Sequence, residues 1–465
     1  MIYTDKLKEK CGVFGVYGKD LDVSRLTYFG LWALQHRGQE SSGIVTANSN
    51  KFFSHTKPGL VAQVFDDGIL DYLKGHIAIG HNRYSTSGGS HDAHSQPVIY
   101  DDDSVSLAHN GNLPSTRQIE DFLISKDRYL EDRNDSEMMA DAIRYYLDEG
   151  NSLKEAISAS YDFFTGAFST LVITKNQLAA FRDKYGIRPL AIGKLNGGYV
   201  FSSETCAIDT VGAKYLRDVR PGELVIAGEN GLKSYQLAKP NPKLEIFEFI
   251  YFSRPDSVLL GQKVNEVRRR LGMNLAKESP VNADVVIPIP DSAIPAALGY
   301  SSQSKIPFDH GLIKNRYIHR TFIQPVQKLR ERDVQMKLNP LKEVLNGKDV
   351  IVIDDSIVRG TTMKKIVQML RQSGVKKVHI RVSSPPIKYP DFYGIDTPNQ
   401  KKLIAASLNV DQIKNEIGAD SLNFLSYPGM IDAIGIDEDK LCTACFSGDY
   451  PIDLLERSKE VSLIA

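Results

Sequence analysis

Short apolar runs broken by glycine and asparagine dominate the first half of the chain. KCGVFGVYG, GHIAIGHNRYS and DSVSLAHNGN each read as a strand running into a turn. Between the first two, SRLTYFGLWALQHRG has apolar residues three or four apart, which predicts a helix. SEMMADAIRYYLDEG predicts another, opening on an Asp/Ser pair and stopping at a glycine. FSTLVITKNQLAAFRDKYG, GYVFSSETCAI and RDVRPGELVIA return to strand character.

The polar, proline-containing segment LAKPNPK, Leu237 to Lys243, divides this region from a second with a different rhythm. VNEVRRRLGMNLAKE is an amphipathic helix, ADVVIPIPDS a short apolar strand, and SAIPAALGYSS a helix. KDVIVIDDSIVRGTTMKKIVQMLRQSG runs strand, polar turn, helix, and VKKVHIRVSS is a further strand. Strands alternating with helices predict a parallel sheet covered by helices. No internal repeat or low-complexity segment is present.

Length and composition narrow the class. At 465 residues the chain exceeds one ordinary core and suits two domains. Its 42% hydrophobic and 25% charged content is that of a globular protein. Lysine plus arginine equals aspartate plus glutamate at 57 each, which gives no sign of a nucleic-acid or anionic-membrane surface. No stretch approaches the ~20 apolar residues that span a bilayer. Four cysteines do not make a disulfide framework, and the expected compartment is a reducing cytoplasm. The start, MIYTDKLKEK, lacks the apolar core of a secretory signal.

Val350 to Thr362, VIVIDDSIVRGTT, is the strongest local signal. An apolar strand ends in Asp354 and Asp355, at the place where open parallel sheets form ligand crevices. Ser356 to Thr362 then supply backbone N–H groups, hydroxyls and a flexible Gly360 ahead of a helix, a geometry that binds phosphate. Paired acids beside it accept hydrogen bonds from a ribose diol or hold a magnesium ion with its waters. An ordinary capped strand–loop–helix shares this pattern. Neither a Walker A loop nor a GxGxxG turn is present.

Cys11 opens the first strand. Alone it reads as a small buried strand residue. A thiol attacks an amide carbonyl when a base stands beside it, and the cysteine's own α-amine, with a reference pKa of ~7.7–8.0, meets that need. That chemistry requires removal of residues 1–10.

The first region resembles the class II glutamine amidotransferase domain of the N-terminal-nucleophile type, through CGVFGVYG, LQHRGQESSGI, GHNRYSTSG, LAHNGNL, NDSE, FRDKYGIRPL and SSETCA. The resemblance implies Cys11 as nucleophile, Asn110 and Gly111 as oxyanion hole, Arg83 on the glutamine α-carboxylate with Thr86 assisting, and Asp135 on the α-ammonium. Each role suits its group: a bidentate fork for carboxylate, amide donors for a developing oxyanion, a carboxylate for an ammonium. His36, His81 and His109 take structural or orienting roles. VIVIDDSIVRGTT resembles the phosphoribosyltransferase signature, which implies ribose contacts from Asp354 and Asp355. Ser356, Arg359, Gly360, Thr361 and Thr362 would enclose the 5-phosphate of phosphoribosyl pyrophosphate (PRPP). IPIPDS is similar to a pyrophosphate loop, carrying Asp291 and Ser292, with Mg2+ held through Ser292, Asp354 and Asp355. Gly311 to Pro340 resembles a basic closing segment, bringing Lys314, Arg316, Arg320, Lys328 and Lys337.

Read together, with EFIYFSRPDS and VRRRLGMNLAKESP, these motifs resemble the amidophosphoribosyltransferase family from Cys11 onward. The implied fold is an α+β four-layer αββα sandwich of the N-terminal-nucleophile hydrolase type over 11–241. An α/β type I phosphoribosyltransferase domain with a parallel sheet follows over 242–465, ending in helical and tail elements; residues 1–10 form a cleaved leader. The implied reaction hydrolyses glutamine and passes ammonia to PRPP, giving 5-phosphoribosylamine, glutamate and pyrophosphate, the first step of purine synthesis. Purine nucleotides as feedback inhibitors and a homotetramer or homodimer are implied as well; no nucleic-acid or membrane partner is. Glucosamine-phosphate synthases and asparagine synthetases share the first domain type but not IDDSIVRGTT. A PRPP- or nucleotide-sensing protein would not need Cys11, Arg83, Asn110 and Asp135 together.

The sequence departs from some relatives, which hold a [4Fe–4S] cluster on four cysteines. Cys442 and Cys445 stand in CTAC, but Glu245 and Asp391 occupy the other two positions. Carboxylates replace soft thiolates poorly, so no iron–sulfur cluster is expected, while a zinc site mixing these four residues stays open. Asn265 stands where tyrosine is frequent, His319 where glycine is, and Gln335 where arginine is. These bear on coupling and rate rather than on reaction class.

Overall fold

The structure, a computed structural model, describes residues 11–84, 95–100, 104–129, 133–315, 338–395, 399–454 and 461. Two antiparallel sheets build the first half. The seven-stranded sheet is centred on Gly12–Tyr17, which pairs with Ile77–Arg83 on one side and Gly198–Ser202 on the other. The six-stranded sheet contains Ser106–Asn112 beside Ala167–Ile173. Apolar residues from both sheets, among them Val13, Ile79, Ala108, Leu171 and Val225, meet in one buried layer. The outer face of the first sheet packs on Val23–Ala33 and Thr205–Thr210. That of the second packs on Arg117–Ile124, Asp135–Asp148 and Leu153–Ser160. The result is the αββα sandwich expected from the resemblance.

The alternation that marks half-buried strands is almost absent in Gly12–Tyr17 and Ala167–Ile173, because each lies between two packed layers and every residue is buried. Asp135–Asp148 begins with a capping box, Asn134 accepting from the Glu137 N–H and Glu137 returning the bond. The cap is therefore Asn134 rather than the Asp/Ser pair.

The second half holds a four-stranded parallel sheet in the order Val285–Pro288, Asp349–Asp354, Lys377–Val382, Ser421–Phe424. One face packs on Val264–Glu278, Ile294–Ser304 and Tyr427–Ile434, the other on Thr361–Gln372 and Val410–Ile417. The connecting segment lies along the first half: Asn241 and Lys243 donate backbone bonds to the carbonyls of Lys184 and Tyr185 at 2.8 and 2.7 Å. Leu244–Glu245 then pairs in parallel with Leu441–Cys442.

Two further expectations are corrected. The helix predicted over SRLTYFGLWALQHRG ends at Ala33, since the chain turns to bury Arg37 completely and to lay Gly38 on Asn82 and Arg83. A Cβ on Gly38 would lie 2.6 Å from the Asn82 carbonyl oxygen. GYVFSSETCAI is strand only to Ser202. The Ser202 hydroxyl accepts from the Glu204 N–H and donates to the Glu204 carbonyl, and Thr205–Thr210 follows as a helix with Cys206, Ala207 and Ile208 in the outer core.

Candidate active site

Cys11 is buried at the head of the central strand, with φ of 64°. The Gly12↔Asn82 register brings Arg83, the last residue of the neighbouring strand, to the same end. Asn110 arrives from the second sheet. Its Nδ2 donates to Ser203 Oγ at 3.4 Å, and that same oxygen accepts from the Val13 N–H at 3.0 Å. One hydroxyl thus ties the strand of the thiol to the strand of the amide. Gly111 follows in a place that excludes any side chain: a Cβ would stand 1.9 Å from the Ala167 carbonyl oxygen and 2.7 Å from His109 Nε2.

Asp135, at the first turn of its helix, closes the same end. Its Oδ2 accepts from the Leu113 N–H at 3.2 Å and lies 3.8 Å from His109 Nδ1, while Oδ1 accepts from the Ser136 N–H at 2.8 Å. His81 is buried and pushed down to about 3 by loss of hydration. Its Nε2 donates to the His109 carbonyl at 3.1 Å, so it stays neutral and is turned toward backbone. Cys11, Arg83, Asn110, Gly111 and Asp135 therefore lie toward one end of the two sheets. Thr86 lies outside the described residues.

A second constellation sits at the carboxyl end of the parallel sheet. Asp354 and Asp355 are buried there. Asp354 Oδ1 accepts from the Asp355 N–H at 3.0 Å; Asp355 accepts from Ser292 Oγ at 2.5 Å and Ser356 Oγ at 2.9 Å. Ser292 therefore joins the loop after the first strand to the acids after the second. Gly360, with φ of 80°, caps the twelve-residue helix Thr361–Gln372, which starts with the two threonines. Asp291 pairs with Lys314 at 2.8 Å on the edge of a cavity of about 480 Å³ that His310, Leu312 and Asn339 also line. Arg316, His319, Arg320, Lys328, Gln335 and Lys337, and residues 1–10, lie outside the described residues. Asn265 sits in the first turn of its helix, its N–H bonded to the Pro255 carbonyl at 2.9 Å.

Glu245, Asp391, Cys442 and Cys445 come together, all buried. Glu245 is the register partner of Cys442. Burial, then the Asp391 charge, pushes the Glu245 carboxyl up to about 8, and burial together with the Glu245 charge pushes both thiols well above their ordinary value. Two neutral thiols and two carboxyl groups do not fit a [4Fe–4S] cluster. Among the described residues no group of three or more His, Cys, Asp or Glu is arranged to hold a metal.

Known proteins match both halves. A glutamine amidotransferase domain family matches residues 81–210, and a phosphoribosyl transferase domain family matches 260–389. An amidophosphoribosyltransferase of Synechococcus elongatus is 48% identical, over 99% of this chain and 95% of its own length. The chain belongs to the amidophosphoribosyltransferase family. A Bacillus subtilis amidophosphoribosyltransferase is 46% identical over 97% of this chain and 96% of its own. Among solved structures, the B. subtilis glutamine PRPP amidotransferase complexed with ADP and GMP superposes with a TM-score of 0.88 at 45% identity, covering 96% of this chain and 98% of that one. A structure described as the allosteric regulatory enzyme of purine biosynthesis gives a TM-score of 0.90 at 45% identity, over 96% of this chain and 97% of that one.

Arg83, Asn110, Gly111 and Asp135 fall within the first matched domain, and Asp291, Ser292 and Asp354 to Thr362 within the second. Sequence reading missed the residues that connect them to the scaffold: Arg37, Ser203, Glu204, Glu248 and Arg268. Arg37 stood within the quoted HRG motif, and its burial was the signal absent from the sequence.

Proposed function

We propose that this chain draws ammonia from glutamine at Cys11 and delivers it to PRPP at the Asp354–Thr362 loop, giving 5-phosphoribosylamine, glutamate and pyrophosphate, the first step of purine synthesis. The supporting observation is the Ser203 bridge, which sets the Asn110 amide beside the strand that Cys11 heads. In the mature form, residues 1–10 are removed and the Cys11 α-amine takes the thiol proton. Sulfur attacks the side-chain carbonyl carbon of glutamine, and the Asn110 amide and Gly111 N–H hold the oxyanion. The amine returns the proton to the leaving nitrogen, ammonia departs, and water cleaves the thioester to glutamate. Arg83 and Asp135 bind the α-carboxylate and α-ammonium, with Thr86 assisting.

At the second site ammonia attacks C1 of the ribose and pyrophosphate leaves. Asp354 and Asp355 orient the ribose hydroxyls. Ser356, Arg359, Gly360, Thr361 and Thr362 surround the 5-phosphate; Asp291, Ser292, Lys328 and Lys337 meet the pyrophosphate. The adjacent buried acids fit a hard divalent cation, and Mg2+ held with PRPP by Asp354, Asp355 and Ser292 would offset the charge of the leaving group. Ammonia travels inside the protein, since ammonium in bulk water has no lone pair for attack. The enzyme works without an iron–sulfur cluster, in the cytoplasm, as a homotetramer or homodimer restrained by purine nucleotides. No helix among the described residues is long and apolar enough to cross a membrane.

The test is release of glutamate, pyrophosphate and phosphoribosylamine by purified enzyme whose N-terminus is read by mass spectrometry. Equimolar products with Cys11 as first residue support the reading. A mature Cys11 terminus with no PRPP-dependent product overturns it.

A further inference from the structure

A nucleophile that supplies its own base must be the first residue of its chain, and chain termini fray unless tied down. Cys11 is tied through its carbonyl, which accepts from Arg37 Nε at 3.3 Å. Arg37 is fully buried, and its other nitrogens hold two buried carboxylates. Nη1 meets Glu204 at 2.5 Å, while Nη2 and Nη1 meet Glu248 at 2.8 and 3.2 Å. Glu204 belongs to the first domain. Glu248 belongs to the segment that opens the second, in a π-helical turn, Glu248–Phe252. Such turns recur at functional sites because the widened ring of backbone bonds re-aims a side chain.

The turn is itself held. Ser253 Oγ donates to Glu248 at 2.6 Å, and Arg268 donates to the carbonyls of Phe249 and Ser253 at 2.8 and 2.7 Å. Arg188 lies 3.1 Å from the same Glu248 oxygen that Arg37 Nη2 uses. Arg37 and Arg188 thus share Glu248, while Glu204 is shared by Arg37 and His36, whose Nε2 lies 2.6 Å from it. Without the Glu248 charge, both buried guanidinium groups lose a carboxylate they share, and the Arg37 fork keeps only Glu204 and the Cys11 carbonyl.

We propose that Glu248 is a positioning residue for the glutamine half-reaction: a carboxylate of the second domain that, through Arg37, holds the carbonyl of the first domain's nucleophile. The inference rests on the reading of Cys11 as nucleophile. It makes hydrolysis of glutamine depend on docking of the synthetic domain, so a misdocked enzyme does not spend glutamine.

The test uses full-length processed enzyme with Glu248→Gln and, separately, Arg37→Lys, which keeps the charge but offers one nitrogen to three acceptors. Measured are kcat and KM for glutamine, the rate of Cys11 alkylation by iodoacetamide, and phosphoribosylamine formation from added ammonia. A displaced nucleophile lowers kcat about ten- to hundredfold in each variant, with KM for glutamine held within about twofold. Cys11 alkylation changes alongside, and the ammonia reaction is retained. Wild-type glutamine kcat in either soluble variant overturns the proposal, and so does a parallel loss of both half-reactions, which marks a merely structural role. Cys11→Ala separates the two readings: glutamine hydrolysis surviving there removes the nucleophile assignment itself, whereas a wild-type Glu248→Gln removes only the clamp.

Discussion

Asn112 donates its Nδ2 hydrogen to the carbonyl of Phe392 at 2.8 Å, across 280 residues of sequence. The bond joins the end of the Asn110–Gly111 strand to the second domain. Gly394, two residues beyond Phe392, stands so close that a Cβ there would be 3.5 Å from the Gly111 Cα. Asp391 shapes this segment by accepting the N–H groups of Tyr393 and Ile395 at 2.9 and 2.8 Å. The backbone beside Asn110 and Gly111, the proposed oxyanion pair, is thus buttressed from the second half of the chain. A net hydrogen bond contributes about 1 kcal/mol, so Asn112→Ala should lower glutamine-dependent turnover roughly fivefold. Steady-state kinetics with glutamine and with ammonia check this; an equal fall in both would show that the bond serves the whole fold rather than the glutaminase site.

Gly111→Ala should be far more damaging. The new methyl has nowhere to go, because the Ala167 carbonyl oxygen lies 1.9 Å from its ideal position and belongs to backbone. Shifting that strand misplaces the proposed oxyanion donors. Loss of one such donor costs about a hundred- to thousandfold in kcat. The expectation is a glutamine kcat down by at least that order while ammonia-dependent synthesis persists, read in parallel assays of one preparation.

Much of this was legible in the sequence, for reasons that can be named. The helix over Val264–Glu278 has the bounds its periodicity predicts, and the acids of VIVIDDSIVRGTT end a strand because an apolar run beside charge has few other solutions. Ser41–Ala47 went unread: all seven of its residues are buried between neighbours, yet serine, glycine and threonine fill more than half of it. Arg37 and Glu248 form a bond across 211 residues, and no local pattern distinguishes them from the solvated arginines and glutamates elsewhere in the chain. Local order carries the motifs; the contacts that aim them are non-local.

Asp355→Asn probes the synthetic site. The carboxylate accepts hydroxyl hydrogens from Ser292 and Ser356, and an amide in its place presents one donor face where two acceptors stood. Hydrogen bonds to a charged partner are about twice as strong as neutral ones, so KM for PRPP should rise roughly tenfold or more. The rise should be the same with glutamine or ammonia as nitrogen source, and kcat for glutamine hydrolysis without PRPP should not change. A KM for PRPP equal to that of wild type would remove Asp355 from the ribose contacts.

Glu245→Gln tests the cluster of carboxyl groups and thiols through stability. Burial and the neighbouring Asp391 raise the Glu245 carboxyl from an ordinary 4.5 to about 8 in the folded protein. Between those values the native state keeps a proton that the unfolded chain has released. Stability from this group is therefore complete below the ordinary value and declines as pH rises toward and through 8. Glutamine is permanently neutral and removes that dependence. Thermal melting of the two proteins should nearly coincide at the acidic end of this range. Above pH 8 the glutamine variant should melt higher, by an amount that grows as pH rises through 8. A difference in melting temperature that stays constant across the range would mean that Glu245 is already ionised in the fold, and that the thiols of Cys442 and Cys445 face a charged carboxylate rather than a neutral acid.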